Sequence, residues 1–186
     1  MRNQLIVVGA LAAAFLGPAA ARADVEVVPY SADGWRSQTY GDPAALPEDW
    51  AASAFDDSGF AVGAMPFGSW ETGGARCPLA PEANSVWPSP GLLLVRRTFV
   101  LPRGATDVQL RLGIDNDALI AVNGTLVGSD WIHHENCPAR DDFFVDVPRE
   151  LLNRGGANVL AILAYDRGVE SWIDVRLVAN DPGPLR

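Results

Sequence analysis

Two stretches of this 186-residue chain concentrate the side chains that can do chemistry. Segment 63–91 carries Trp70, Glu71, Arg76, Cys77 and Trp87, and segment 128–142 carries Asp130, Trp131, His133, His134, Glu135, Cys137, Arg140, Asp141 and Asp142. Aromatic faces cover the C–H surface of a sugar, while carboxylate, amide and guanidinium groups bond its hydroxyls. On that reasoning Trp70, Glu71, Arg76, Trp87, Asp130, Trp131, His133, His134, Glu135 and Arg140 are the candidate ligand-binding residues. The competing reading has the tryptophans turned inward to bury an irregular segment. It stands open for Trp70, Trp87 and Trp131 alike.

Cys77 and Cys137 are the two cysteines of the chain. An oxidising compartment allows them to pair, and with two there is one intramolecular solution. The bond would close a loop of about sixty residues, worth on the order of 3–4 kcal/mol in the chain-entropy account. It would also draw the two chemistry-bearing segments to one end of the fold. The alternatives are two free buried thiols, or a metal held by one Cys with His133 or His134. Neighbouring histidines on extended chain point to opposite sides, which weakens a shared-ion role, and no H-E-x-x-H is present.

Asp115 and Asp117 flank Asn116 between two expected strands. Short acidic side chains there hold a turn by accepting backbone amides, and they are also candidate hard-oxygen ligands for Ca²⁺. The spacing is not that of an EF-hand, and the turn role is favoured. No other cofactor is implied. Catalytic residues are not found: there is no G-x-S-x-G, and adjacent histidines leave little scope for a triad. A small hydrolase would need two carboxylates at a set separation across a cleft, so an enzyme is not expected.

The elements that position these residues follow from composition and pattern. The formal charge is -9, with 23 acidic residues against 14 basic ones, all of them Arg. The acidic balance disfavours a phosphate-tracking nucleic-acid binder. Absence of Lys removes Schiff-base chemistry and a P-loop lysine. With 48% apolar residues, the chain is expected to form one globular domain. Arg2, the apolar run Leu5 to Leu16 and the small-x-small site Ala21-Arg22-Ala23 read as an export signal over residues 1–23. Residues 24–186 would then be the mature domain, secreted or periplasmic, with no membrane span left after cleavage.

Val108, Leu110, Leu112 and Ile114 alternate with Asp107, Gln109, Arg111 and Gly113, as a strand with one buried face does. Leu119–Val122 and Thr125–Val127 flank Asn123-Gly124, the strongest short hairpin signal. Phe143–Val147, Val159–Tyr165, Trp172–Val178 and Leu92–Leu101 are further strands, the last interrupted by Arg96-Arg97. Pro148–Asn153 reads as a short helical turn with Leu151 and Leu152 inward, ended by Gly155-Gly156. Val25–Val28 and Trp35–Tyr40 are weaker strand candidates, Glu48–Ala54 a helical turn, and 63–91 a long Gly- and Pro-rich loop. The fold class expected is all-β: a jelly-roll sandwich with long inter-strand loops.

Several motifs carry a resemblance. Trp50 followed by Phe55-Asp56-Asp57-Ser58-Gly59-Phe60, then Met65-Pro66-Phe67-Gly68, then Val95-Arg96-Arg97-Thr98-Phe99, resembles the galactose-binding-domain-like jelly rolls. Leu112-Gly113-Ile114-Asp115-Asn116-Asp117-Ala118 through Val122-Asn123-Gly124 is similar to their hairpin. Pro148-Arg149-Glu150-Leu151-Leu152 through Gly156-Ala157-Asn158-Val159-Leu160-Ala161 is similar to a later element. The same pattern occurs in non-catalytic sugar-binding domains of glycoside hydrolases and spans most of 35–179. Such motifs speak for fold more than for function. The resemblance implies a non-catalytic carbohydrate- or glycan-binding protein acting through loops 63–91 and 128–142. The alternative is a structural or protein-interaction sandwich using the same surface for a protein partner.

Overall fold

The computed structural model describes residues 23–70, 74, 76–130 and 137–181. In chain order the strands are β1 (Ala23–Val28), β2 (Trp35–Tyr40), β3 (Ala61–Gly63), β4 (Phe67–Ser69), β5 (Ser85–Val86), β6 (Gly91–Val100), β7 (Val108–Asp115), β8 (Asp117–Val122), β9 (Thr125–Asp130), β10 (Phe143–Val147), β11 (Ala157–Asp166) and β12 (Ser171–Asp181). Helical structure among the described residues is confined to 3-10 turns at Pro43–Ala45, Ala80–Glu82 and Arg149–Leu151. No helix there is long and apolar enough to cross a membrane. Residues 1–22 of the expected export signal lie outside the described residues, and Ala23 belongs to β1.

The strands form two sheets, as an all-β sandwich requires. The first runs β10-β7-β12-β4-β5, with β1 also paired to β12; the second runs β3-β2-β6-β11-β8-β9. Pairing is antiparallel except between β4 and β5. Alternation explains the shared core. Leu110, Leu112 and Ile114 of β7 and Ile173, Val175 and Leu177 of β12 meet Leu93 and Val95 of β6 and Leu160 and Ile162 of β11, all essentially inaccessible.

The second sheet is buried on its outer face too. Leu92, Leu94, Ala161 and Leu163 are covered by Trp50, Leu46 and Phe60. That is why β6 and β11 read as nearly continuous apolar runs rather than alternating ones. Arg96, only 1% exposed, lies within that covered face. Its Nε donates to Asp57 Oδ2 at 2.9 Å, and its Nη1 and Nη2 donate to the carbonyls of Trp50 (2.5 Å) and Ala52 (2.9 Å). The guanidinium also lies 5.0 Å from the Phe55 ring centroid. The Trp50-to-Asp57 motif is therefore a strap tied to β6 by one buried cation.

The Asn123-Gly124 hairpin has positive φ at both residues, 50° and 88°, as a type I′ turn needs. Asn123 Nδ2 donates to the Asn158 side-chain oxygen (2.8 Å) and to the Leu151 carbonyl (2.6 Å), joining the hairpin to the Arg149–Leu151 turn. Asp115-Asn116-Asp117 carries the chain from one sheet to the other between β7 and β8. Two expectations need correction. Segment 63–91 is not a structureless loop: it contributes β4 and β5, too short to show a period, and sends Met65, Phe67 and Trp87 into the core. Glu48–Ala54 forms tight turns rather than a helical one, with the 3-10 turn earlier, at Pro43–Ala45. Leu151 and Leu152 are both half-buried, and Leu152 packs against the core, as an inward-facing side chain does.

On the first sheet's outer face, the chain after Cys137 crosses directly over Gly113. A Cβ there would overlap the Ala139 carbonyl, a backbone atom that cannot swing aside. Gly113→Ala should therefore lower the unfolding free energy by roughly 1–3 kcal/mol. Urea denaturation checks this, and an unchanged midpoint would mean that the crossing is not held against β7.

Candidate functional site

Cys77 and Cys137 form the expected disulfide, with Cα atoms 5.1 Å apart and a sequence separation of 60. The bond fastens segment 63–91 to the start of the 137–142 crossing. Glu170, 4% exposed, holds the near side of this clamp. Its carboxylate accepts the Arg76 amide and the Cys77 amide, the latter at 2.8 Å. Two amides converging on one carboxylate are charge-assisted hydrogen bonds, stronger than neutral ones. The clamp is thus anchored on the turn between β11 and β12.

An open cavity of about 340 Å³ lies here, lined by the disulfide, Arg76, Asp115, Asn116, Val169 and Glu170. Val169 is 44% exposed and has φ +79°, a conformation a β-branched residue adopts only under constraint. Trp70, 42% exposed, follows β4. The Ser69–Ser171 register, with the two hydroxyls 3.1 Å apart, sets it beside the Glu170 turn. The end of the sandwich therefore combines two exposed apolar side chains with carboxylate, amide and guanidinium groups.

The sheet-to-sheet link is a held turn. Asn116 Oδ1 accepts the Arg167 amide at 2.8 Å, and Asn116 Nδ2 donates to Asp115 Oδ1 at 2.6 Å. Asp117 is inaccessible and pairs with the Arg167 guanidinium. Among the described residues no three His, Cys, Asp or Glu side chains gather as a metal ion would need.

The other candidates divide. Arg76 lines the cavity, whereas Trp70 is not in its lining and is placed toward the Glu170 turn by strand register. Trp87 is a correction: it is fully buried in the core, so its ring face is not available to a ligand. Asp130 is 2% exposed at the end of β9, so it is buried rather than presented on the surface. Arg140 is likewise not at the cavity. It lies over the first sheet, donating to Asp174 (3.2 Å) and Glu82 (2.8 Å) and facing the Tyr30 and Trp172 rings at 5.4 and 5.9 Å. Glu71, Trp131, His133, His134 and Glu135 lie outside the described residues. Val169 and Glu170 are not among the sequence candidates, and a Gly-x-Glu turn between two strong strands is the available signal; Asn116 belongs to the Asp115-Asn116-Asp117 turn already expected.

No family model matches the chain, and no curated protein matches it either. Solved structures do. A β-glucuronidase of glycoside hydrolase family 2 aligns over 89% of this chain with a TM-score of 0.59 and 16% identity. A family 2 member from Bacteroides cellulosilyticus aligns over 86% with a TM-score of 0.57 and 19% identity. A Bacteroides uniformis β-glucuronidase aligns over 85% with a TM-score of 0.56 and 20% identity. These matches take in only 18%, 21% and 18% of those longer chains. At such identities the likeness shows the fold, a β-sandwich also found within family 2 glycosidases.

Asp166 lies beneath this end of the sandwich, with no solvent exposure. The Ser89 hydroxyl and the amides of Arg167 and Gly168 soften its burial, yet neither oxygen has a hydrogen bond of standard geometry. Burial therefore raises its pKa above the usual 3.8. Between 3.8 and the raised value the folded state keeps a proton that the unfolded chain releases. The contribution to stability is full below that window and declines as pH rises through it. Asp166→Asn removes this titration, so the variant's stability relative to wild type should be greater at pH 7 than at pH 4, by about 1.4 kcal/mol per unit of displacement. Urea melts at both pH values measure it. Equal differences would mean that the charged form is fully accommodated.

Proposed function

We propose that this chain is an exported, non-catalytic carbohydrate-binding sandwich that takes a glycan at the disulfide-clamped end. The observation that carries the reading is the pairing of exposed Trp70 and Val169 with the polar cavity of Arg76, Asp115, Asn116 and Glu170. A sugar ring lays its C–H face on an indole and its hydroxyls against such groups. The fold shared with part of family 2 glycosidases, which act on saccharides, supports a glycan as the ligand. The disulfide supports export to an oxidising compartment. The non-catalytic reading rests on carboxylates that are already engaged. Glu170 is held by two amides and Asp117 by Arg167, so neither is poised as a general acid or nucleophile.

Trp70→Ala should reduce retention on a glycan array by roughly tenfold, because a half-exposed indole supplies contact area to a ligand and little to the core. Its melting temperature should stay within a few degrees of wild type. Unchanged retention, or no retained glycan at all, would overturn the reading. Asp115 and Asp117 act in it as turn residues rather than Ca²⁺ ligands. EDTA should accordingly leave the melting curve unmoved, and a fall of several degrees would transfer them to a cation.

The protein-interaction alternative has one observation of its own. Phe144, 62% exposed, and Leu126, 58% exposed, lie on β10 and β9, strands in mutual contact at the sandwich edge. If that face were the working surface, Phe144→Ser rather than Trp70→Ala would abolish capture of the partner.

A further inference from the structure

Arg36 and Arg96 are register partners on β2 and β6 and so share the outer face of the second sheet. Together with Arg97 they line an open cavity of about 420 Å³. The cavity lies where β2 begins: β6 continues past its last partner, Arg96, leaving Thr98 at the wall, and the Trp50-to-Asp57 strap supplies Ser53, Phe55 and Asp57. Three guanidiniums in one cavity stand out in a chain of charge -9.

Their engagements differ. Arg96 spends all three nitrogens on Asp57 and on the Trp50 and Ala52 carbonyls. Arg97 gives Nη1 to the Asp33 carbonyl and lies 5.6 Å from the Trp35 ring centroid. Arg36 reaches only the Phe60 carbonyl among the described residues, at a long 3.5 Å. Among the described residues neither Arg36 nor Arg97 meets a carboxylate, whereas Arg140, Arg149, Arg167 and Arg176 all do. Two uncompensated cations therefore face a cavity whose wall also holds the hydroxyl residues Ser53 and Thr98 and the Phe55 ring. Guanidinium forks and hydroxyls bind compact oxyanions through charge-assisted hydrogen bonds, and concave walls concentrate the field.

We propose that this cavity binds a compact oxyanion carried on a saccharide, a sulfate ester or a sugar carboxylate. The site is separate from the disulfide-clamped end and does not rest on the reading of it. The cavity exceeds what one sulfate or carboxylate fills, leaving room for the ring that bears it, with Phe55 as its apolar wall. Net repulsion between an acidic protein and a polyanion makes binding here informative, since bulk charge opposes it.

The test uses the purified chain with dextran sulfate, carboxymethyl dextran and neutral dextran in affinity electrophoresis at fixed ionic strength. Retention by at least one charged dextran over the neutral polymer is expected, and the better of the two identifies the oxyanion. Arg36→Gln with Arg97→Gln should weaken retention at least tenfold, while Arg103→Gln with Arg154→Gln, which removes the same charge elsewhere, should not. Should the first pair fail to fold, Arg36→Gln alone takes its place, with a several-fold loss expected. Equal retention on all three dextrans, or equal loss in both double variants, would overturn the proposal.

Discussion

Each sheet carries one buried charge near the middle of its outer face, and the covering chain neutralises it. On the second sheet this is Arg96, met by Asp57 and two carbonyls of the strap that starts at Trp50. On the first it is Asp174, inaccessible, which accepts the Ser31 amide at 3.0 Å and the Arg140 guanidinium at 3.2 Å. Burial pushes the Asp174 carboxyl upward, and those two partners draw it back. An ion stripped of water and left without partners is worth several kcal/mol against folding. The irregular segments are therefore fixed where they are: each lies over a charge that its own groups help to satisfy.

This constraint explains which parts of the fold the sequence made legible. The strands β7, β8, β10, β11 and β12 repeat with period two or run continuously apolar, because sheets impose that pattern wherever a face is buried. Asn123-Gly124 needed only local geometry. The pair β4 and β5, at three and two residues, is too short for any period and is held by register against β12 and by the closeness of Gly68 to the Ser171 carbonyl. Trp87 and Trp70 are the same residue type in the same segment, yet one is core and the other exposed. Only tertiary packing separates them, and composition cannot.

The candidate site divides on the same line. The disulfide was legible because two cysteines leave one pairing, and it delivers Arg76 to the cavity. Arg140 has the composition of a ligand-binding residue but the partners of a structural one. Its two carboxylates and two aromatic rings fix it as the clasp of the first sheet's cover, while Asp141 beside it binds Arg176 and the Tyr30 hydroxyl. Glu170 has no signature in the sequence, because a single Glu in a short turn carries no pattern; its meaning comes from the two amides that meet it.

Both cavities occur where a covering segment leaves its sheet. The disulfide-end cavity opens where the 137–142 crossing begins, and the arginine-lined cavity opens beside the strap at Ser53, Phe55 and Asp57. Over the middle of each sheet the cover is tight, as Gly113 under Ala139 and Leu94 under Trp50 show. At its ends the backbone turns away and polar side chains are left facing water with rigid strands beneath them. Recognition chemistry needs that combination of a fixed platform and unspent hydrogen-bonding groups. In this fold the platform comes from the strands, and the unspent groups lie wherever the cover stops short of the last charged side chain.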